Sequence, residues 1–153
     1  MKPLFILLLF FSFLQTTAQN LKPFEDKNGL YGYKDDKGKI VIVAQYVTAT
    51  YFFSGVDKAW VYLNEKFALI DKKGKPVIPF KYSYVNYFTE GMAVVAINTK
   101  FMEVGGNYGF VDKHGKEIIP MIYDYAEAFK NGKAKVKKGN EEFYIDKTGK
   151  RIK

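Results

Sequence analysis

A chain of 153 residues with a formal charge of +8, one histidine and no cysteine offers no thiol chemistry, no disulfide staple and no cysteine metal site. Arg151 is its one arginine, so the bidentate fork that reads phosphates and base edges is almost missing. At this length one domain is expected, burying about two-thirds of the surface its unfolded chain exposes.

Residues 1–18 read as a secretory leader. Lys2 supplies a basic start, residues 4–14 an apolar run and Thr16-Thr17-Ala18 a small-residue cleavage site. The run is too short for a membrane-spanning helix, which needs about 17–25 residues. No cysteine follows it, so no lipid anchor is expected there. Cleavage after Ala18 leaves an exported chain, periplasmic or secreted, with a charge of +7 once Lys2 is gone.

Residues 19–29 are the least regular stretch. Leu21 and Phe24 are apolar, Pro23 interrupts, and residues 25–29 read as a turn. They stand where the last strand of a preceding unit belongs, which predicts a degenerate capping strand.

From Leu30 onward one unit repeats. Gly38, Gly74, Gly115 and Gly149 are each followed by Lys and preceded at the third position by Asp35, Asp71, Asp112 and Asp146. Tyr46, Tyr82 and Tyr123 stand eight residues after the first three glycines, and Gly55, Gly91 and Gly132 seventeen after. The glycine intervals are 36, 41 and 34; two extra residues in the first copy and a seven-residue insertion in the second reduce all three to 34. The copies carry short β-branched and aromatic runs punctuated by Gly, Asn, Asp and Pro, and no window keeps helical spacing. The fold class is therefore all-β: antiparallel meander repeats of about 34 residues, bounded at 30–65, 66–106, 107–141 and a half repeat, 142–153.

Three strands are predicted per unit, as at 108–112, 116–119 and 133–137, giving four three-stranded units. Asp-x-x-Gly closes the first hairpin, its carboxylate bonding backbone N–H groups and its glycine taking positive φ. Pro79 and Pro120 are expected to end the second strand. An aromatic excursion follows, with room for one helical turn. Lys138-Gly139-Asn140 and Asn64-Glu65 read as hairpin turns, and the insertion lengthens the equivalent tip at 98–106. An open, curved array is favoured over a closed propeller-like ring, because Pro23 makes a poor closing strand.

Leu-Tyr-Gly-Tyr from Leu30, Lys-Phe-Ala-Leu-Ile-Asp from Lys66 and Asn-Tyr-Gly-Phe-Val-Asp from Asn107, with the D-x-x-G-K turns and I-P segments, resemble the WG-repeat (KWG-type) proteins of bacterial secreted origin. Tyr31, Phe67 and Tyr108 replace the family's Trp, and Ala68 its Gly in the second copy. The resemblance covers about 30–153 and implies β modules without an assigned active site, so it brings no functional residues.

The residues themselves speak against catalysis. His114 occupies a turn position filled by Lys37, Lys73 and Thr148 in the sister copies, the pattern of a solvated tip. The repeated Asp would need several further oxygen ligands to hold calcium; its neighbours are lysines. Glu90, Glu103, Glu117, Asp124, Glu127, Glu141 and Glu142 could pair for hydrolysis, but none recurs across copies. No catalytic residue, cofactor or metal is expected, and Asp35, Gly38, Asp71, Gly74, Asp112, Gly115, Asp146 and Gly149 are read as structural turns. Lysine interleaved with aromatics suits single-stranded nucleic acid, but export removes that partner. What remains is a monomeric, non-enzymatic binding or scaffold module for a protein or an anionic envelope component. The alternative is a carbohydrate module using Tyr46, Tyr82, Tyr123, Phe52, Phe53, Phe88 and Phe129 as a ladder, against their simpler reading as core.

Overall fold

Four hairpins close on the same short-range chemistry. In one, the Asp112 carboxylate accepts the backbone N–H groups of His114 at 2.8 Å and Lys116 at 2.9 Å, while Gly115 N–H donates to the Asp112 carbonyl at 3.0 Å. Gly115 takes φ +85°, a left-handed conformation costing roughly 1–2 kcal/mol for a residue with a Cβ. Asp35, Asp71 and Asp146 hold Gly38, Gly74 and Gly149 in the same way. Asp26 builds a fifth such turn ending at Gly29, in the stretch 25–29 that the sequence marks as a turn.

The computed structural model describes residues 20–99 and 106–152; the leader and most of the 98–106 tip lie outside them. Among the described residues there is no helix, and so none long and apolar enough to cross a membrane. Four antiparallel sheets follow one another along the chain. The first holds β1 (Lys22–Glu25), β2 (Tyr31–Lys34) and β3 (Ile40–Tyr46). The second holds β4 (Thr48–Ala49), β5 (Ala59–Leu63), β6 (Lys66–Ile70) and β7 (Pro76–Tyr82). The third holds β8 (Tyr84–Val85), β9 (Met92–Ile97), β10 (Asn107–Asp112) and β11 (Glu117–Tyr123). The fourth holds β12 (Tyr125–Ala126), β13 (Lys133–Lys138), β14 (Glu141–Asp146) and β15 (Arg151–Ile152). The capping strand is β1, paired along β2.

Two local expectations are corrected. The aromatic excursion forms no helical turn; it contributes β4, β8 and β12, two-residue strands that give three of the sheets a fourth member. Nor do the prolines end their strands, since β7 and β11 run through Pro79 and Pro120. Both strands lie at a sheet edge, where a missing N–H breaks no ladder bond. Each also bulges: Tyr108 faces Tyr123 and Phe110 faces Ile119, so two residues of β10 span four of β11.

That bulge explains the Tyr-Gly dipeptide. A Cβ on Gly109 would lie 2.5 Å from the Ile119 carbonyl oxygen, and one on Gly32 2.5 Å from that of Ile42. Glycine suits that position because a backbone crosses it closely, not because of its dihedral, and the same bulge in the second sheet admits nothing larger than alanine. Ala68 fills the position in the second sheet, fully buried. Phe143 fills it in the fourth, where β15 pairs only with Tyr144 and Ile145 and no bulge crosses.

The sheets stack face to face, each unable to bury its apolar side alone. Tyr33, Ile42 and Tyr46 of the first meet Ala59, Val61, Ala68 and Ile70 of the second. Trp60, Leu69, Ile78 and Tyr82 of the second meet Ala93, Val95 and Val111 of the third. Val94, Phe110, Ile119 and Tyr123 of the third meet Phe129, Ala134, Val136 and Ile145 of the fourth. Among the described residues no core joins the first sheet to the fourth, so the array is open.

The turns serve this stacking unequally. A Cβ on Gly74 would lie 3.4 Å from Ile42, on Gly149 3.5 Å from Ile119, and on Gly115 only 2.8 Å from Ile78. Each of these tips rests on the edge strand of the preceding sheet. Gly38 has nothing within 4 Å. The four glycines share a backbone conformation but not an environment.

Candidate functional surface

Strand β13 reads Lys-Ala-Lys-Val-Lys-Lys. Period-two alternation sends Ala134 and Val136 into the third core and turns Lys133, Lys135 and Lys137 to the other face. Across β14, Tyr144 stands opposite Lys135 and Glu142 opposite Lys137; across β12, Tyr125 stands opposite Lys137. Lys133, Lys135, Lys137, Tyr144 and Glu142 therefore share the outer face of the fourth sheet, with the exposed Glu127 near enough to act on the Lys135 charge. The half-exposed Tyr125 ring instead leans on Tyr108 of the third sheet, centroids 5.8 Å apart. Lys133 Nζ lies 4.8 Å from the Tyr144 ring centroid, an attraction of about 0.5–1 kcal/mol at an exposed site. Lys135 pairs with Glu142. The contact holds the Glu142 carboxyl below the usual glutamate range and lifts the Lys135 ammonium above the usual lysine range.

This face is held against the rest of the array. The Asp124 carboxylate accepts Gly139 N–H at 2.6 Å, fixing β12 to the β13–β14 turn. From the third sheet, the Glu90 carboxylate accepts Gly132 N–H at 3.1 Å and pairs with Lys147 at 3.1 Å. Lys147 also donates to the Glu90 carbonyl at 3.0 Å. The Lys147 ammonium, helped by the Gly132 N–H, keeps the Glu90 carboxyl below its ordinary range.

The other residues singled out from the sequence do not converge on a site. Asp35, Asp71, Asp112 and Asp146, with their glycines, lie one pair to a sheet. His114 is an exposed turn tip. Glu90, Glu141 and Glu142 each face a cation, Lys147, Arg151 and Lys135; Glu103 lies outside the described residues. No three His, Asp or Glu among the described residues come close enough to hold a metal ion.

The aromatic series is core. Tyr46, Tyr82, Tyr123 and Phe129 are buried, and Phe52, Phe53 and Phe88 are partly buried against the cores. Two tyrosines outside that series are exposed instead. Tyr51 and Tyr87, each five residues after a buried tyrosine, are 68% and 66% exposed; the third copy has Ala128 there. Tyr87 borders a groove of about 160 Å³ lined by Thr50, Trp60, Phe67, Val85 and Asn86. In its floor, Trp60 Nε1 donates to the Asn86 carbonyl at 3.1 Å. Aligning the copies five columns beyond the obvious tyrosines would have found the pair.

With the bulge and its glycine described, the family match can be placed on the structure. The WG containing repeat family matches residues 31–67, 67–101 and 108–141, most of the chain. The protein belongs to the WG-containing repeat family. Each matched WG repeat runs from one Tyr-Gly or Phe-Ala site toward the next, so it begins in one sheet and ends in the following one. The WG unit of sequence is thus offset from the sheet as a unit of structure. No curated protein and no solved structure was found to match the chain.

Proposed function

We propose that this chain is an exported, non-enzymatic binding module that presents the lysine–tyrosine face of its fourth sheet to an acidic protein or another anionic component of the cell envelope. The observation that carries this reading is one position in three copies. Trp60 and Val94, which turn toward a following sheet, correspond to Lys135, which turns outward with Lys133 and Lys137. Three lysines on one strand, beside Tyr144 and only partly offset by Glu142 and Glu127, make a cationic patch with apolar area next to it. The tripartite leader supports export. The test is titration of the protein with poly-L-glutamate and with phosphatidylglycerol vesicles. Binding should weaken sharply between about 0.01 and 0.15 M salt, as the screening length shortens, and should be lost in the Lys133→Gln/Lys135→Gln/Lys137→Gln variant. Salt-independent binding, or binding unchanged in that variant, would refute it.

A carbohydrate reading keeps one specific support, the exposed Tyr51 and Tyr87 at equivalent positions with a groove beside the second. Retardation by a neutral glycan gel that Tyr87→Ala abolishes would favour it over the lysine face.

A further inference from the structure

Among the described residues, the edges of these sheets are guarded in the ways that prevent strand addition, with one exception. Edge strands β4, β8, β12 and β15 are two residues long. Edge strand β1 carries Lys22, Pro23 and Glu25. Edge strand β7 carries Pro76, Pro79 and Lys81, and β11 carries Glu117 and Pro120. Short length, proline and charge each deny an incoming strand its ladder. The seven residues of β3, Ile-Val-Ile-Val-Ala-Gln-Tyr, contain no proline and no charge, and β3 is the outermost strand of the first sheet. Val43 stands where the sister bulges place Pro79 and Pro120, so the ladder to β2 does not need its N–H; its carbonyl accepts Gln45 Nε2 at 3.5 Å. Val43 is 65% exposed, and Ile40 at the head of the strand is 53% exposed.

We propose that β3 is a docking edge that an extended, acidic-flanked segment of a partner protein joins as an added strand. A row of edge N–H and C=O groups is complemented by another peptide backbone and by little else. The surroundings select the flanks. Lys37 and Lys39 precede the strand, and the Lys73-Gly74-Lys75 tip of the second sheet rests on Ile42. The acids of the nearby turn are engaged, Asp35 with the N–H groups of Lys37 and Lys39 inside it and Asp36 with Lys22 of β1 at 3.0 Å. A second copy of this chain would bring the same lysines and a charge of +8 against its own, so an acidic partner is the better fit. The inference rests on the binding-module reading but uses a different surface, which lets the two fail separately.

The experiment uses the full chain, a fluorescent peptide of sequence DEVTVTVDE, and a control, DEVPVPVDE, that lacks alternate N–H groups. Saturable binding of the first peptide is expected, with protection of the Ile40–Tyr46 amides from hydrogen exchange and no protection in β7 or β11. Val43→Pro, which copies the residue of the sister bulges, should weaken it at least about tenfold, the scale of one or two lost backbone hydrogen bonds. The lysine-face variant should leave this binding intact. Equal binding of the proline control, equal binding by Val43→Pro, or protection spread over all edges would overturn the proposal; so would absence of saturable binding. If the wild-type chain dimerises and Val43→Pro makes it monomeric, the occupant is a second copy and the acidic partner is rejected. Should Val43→Pro not fold, the exchange pattern of the wild-type chain decides alone.

Discussion

The third and fourth sheets are built from the same repeat, yet their long strands read differently. In β9, Met92 to Ala96 are all buried, because Ala93 and Val95 pack on the second sheet while Met92, Val94 and Ala96 pack on the fourth. In β13 only Ala134 and Val136 are buried, and lysine takes every other place. Strand propensity does not explain the difference, since lysine and alanine are both poor strand formers; pairing to β12 and β14 holds β13 in place. What differs is whether a sheet lies beyond. The front of the array shows the same rule. Ile70, Val111 and Ile145 are fully buried against a preceding sheet, and Lys34 occupies that position in the first sheet, exposed, its Nζ 5.9 Å from the Phe24 ring centroid. Strands covered on both faces become continuous apolar runs, and strands covered on one face alternate.

The sharpest way to break this comparison is to remove a side chain that only an interior position could carry. Trp60 stacks on Phe88 with centroids 5.9 Å apart and fills the second core. Trp60→Ala should cost about 3–5 kcal/mol, measured by urea unfolding. A cost below 1 kcal/mol, the scale of a surface change, would mean the second core is not the joint it looks to be.

The turn glycines give a graded version. Gly115→Val adds left-handed strain and a clash with Ile78, and should cost roughly 1–3 kcal/mol. Gly38→Val carries the strain without the clash and should cost less. Equal losses in thermal unfolding would show that stacking on the preceding sheet contributes nothing.

How much of this was visible beforehand follows from the range of the interactions. The Asp-x-x-Gly turns are closed by atoms within four residues, so the repeat, its period and its β class could be read directly. The bulge could not. Pro120 reads as a strand terminator until β11 is known to be an edge, and that depends on which strand β10 pairs with on its other side. The two-residue strands β8 and β12 were hidden for the same reason, since Tyr84 and Tyr125 pair with Ala96 and Lys137, twelve residues on in each case. The lysine alternation of β13 was legible as a half-buried strand. That no further described sheet covers its outer face required seeing both faces of β5 and β9 covered.

Smaller effects sharpen the joint between the third and fourth sheets. Glu90 is held below its ordinary range by Lys147, so its contribution is present above the unfolded-state value of about 4.3 and is lost as pH falls through the lower folded value. Chemical-shift titration of the Glu90 carboxyl should show a midpoint below the usual glutamate range, returning to it in Lys147→Met. An ordinary midpoint in the wild-type chain would remove that tie. Smallest of all, Lys135→Ala should leave the urea midpoint close to that of the wild-type chain, as loss of an exposed pair does. A clear drop in that midpoint would mean that the outer face of β13 is packed as an interior face is.

The central claim is that stability is held sheet to sheet along an open stack, and removal of the last hairpin tests it most directly. A chain ending at Gly139 loses β14 and β15, and with them Phe143 and Ile145, which cover the third core. In a linear array only the neighbouring unit should feel that loss. Native-state hydrogen exchange on the truncated chain should show slow amides retained in β2, β5 and β6, with faster exchange in β9, β10 and β13. Uniform loss of protection through the first and second sheets would contradict the account.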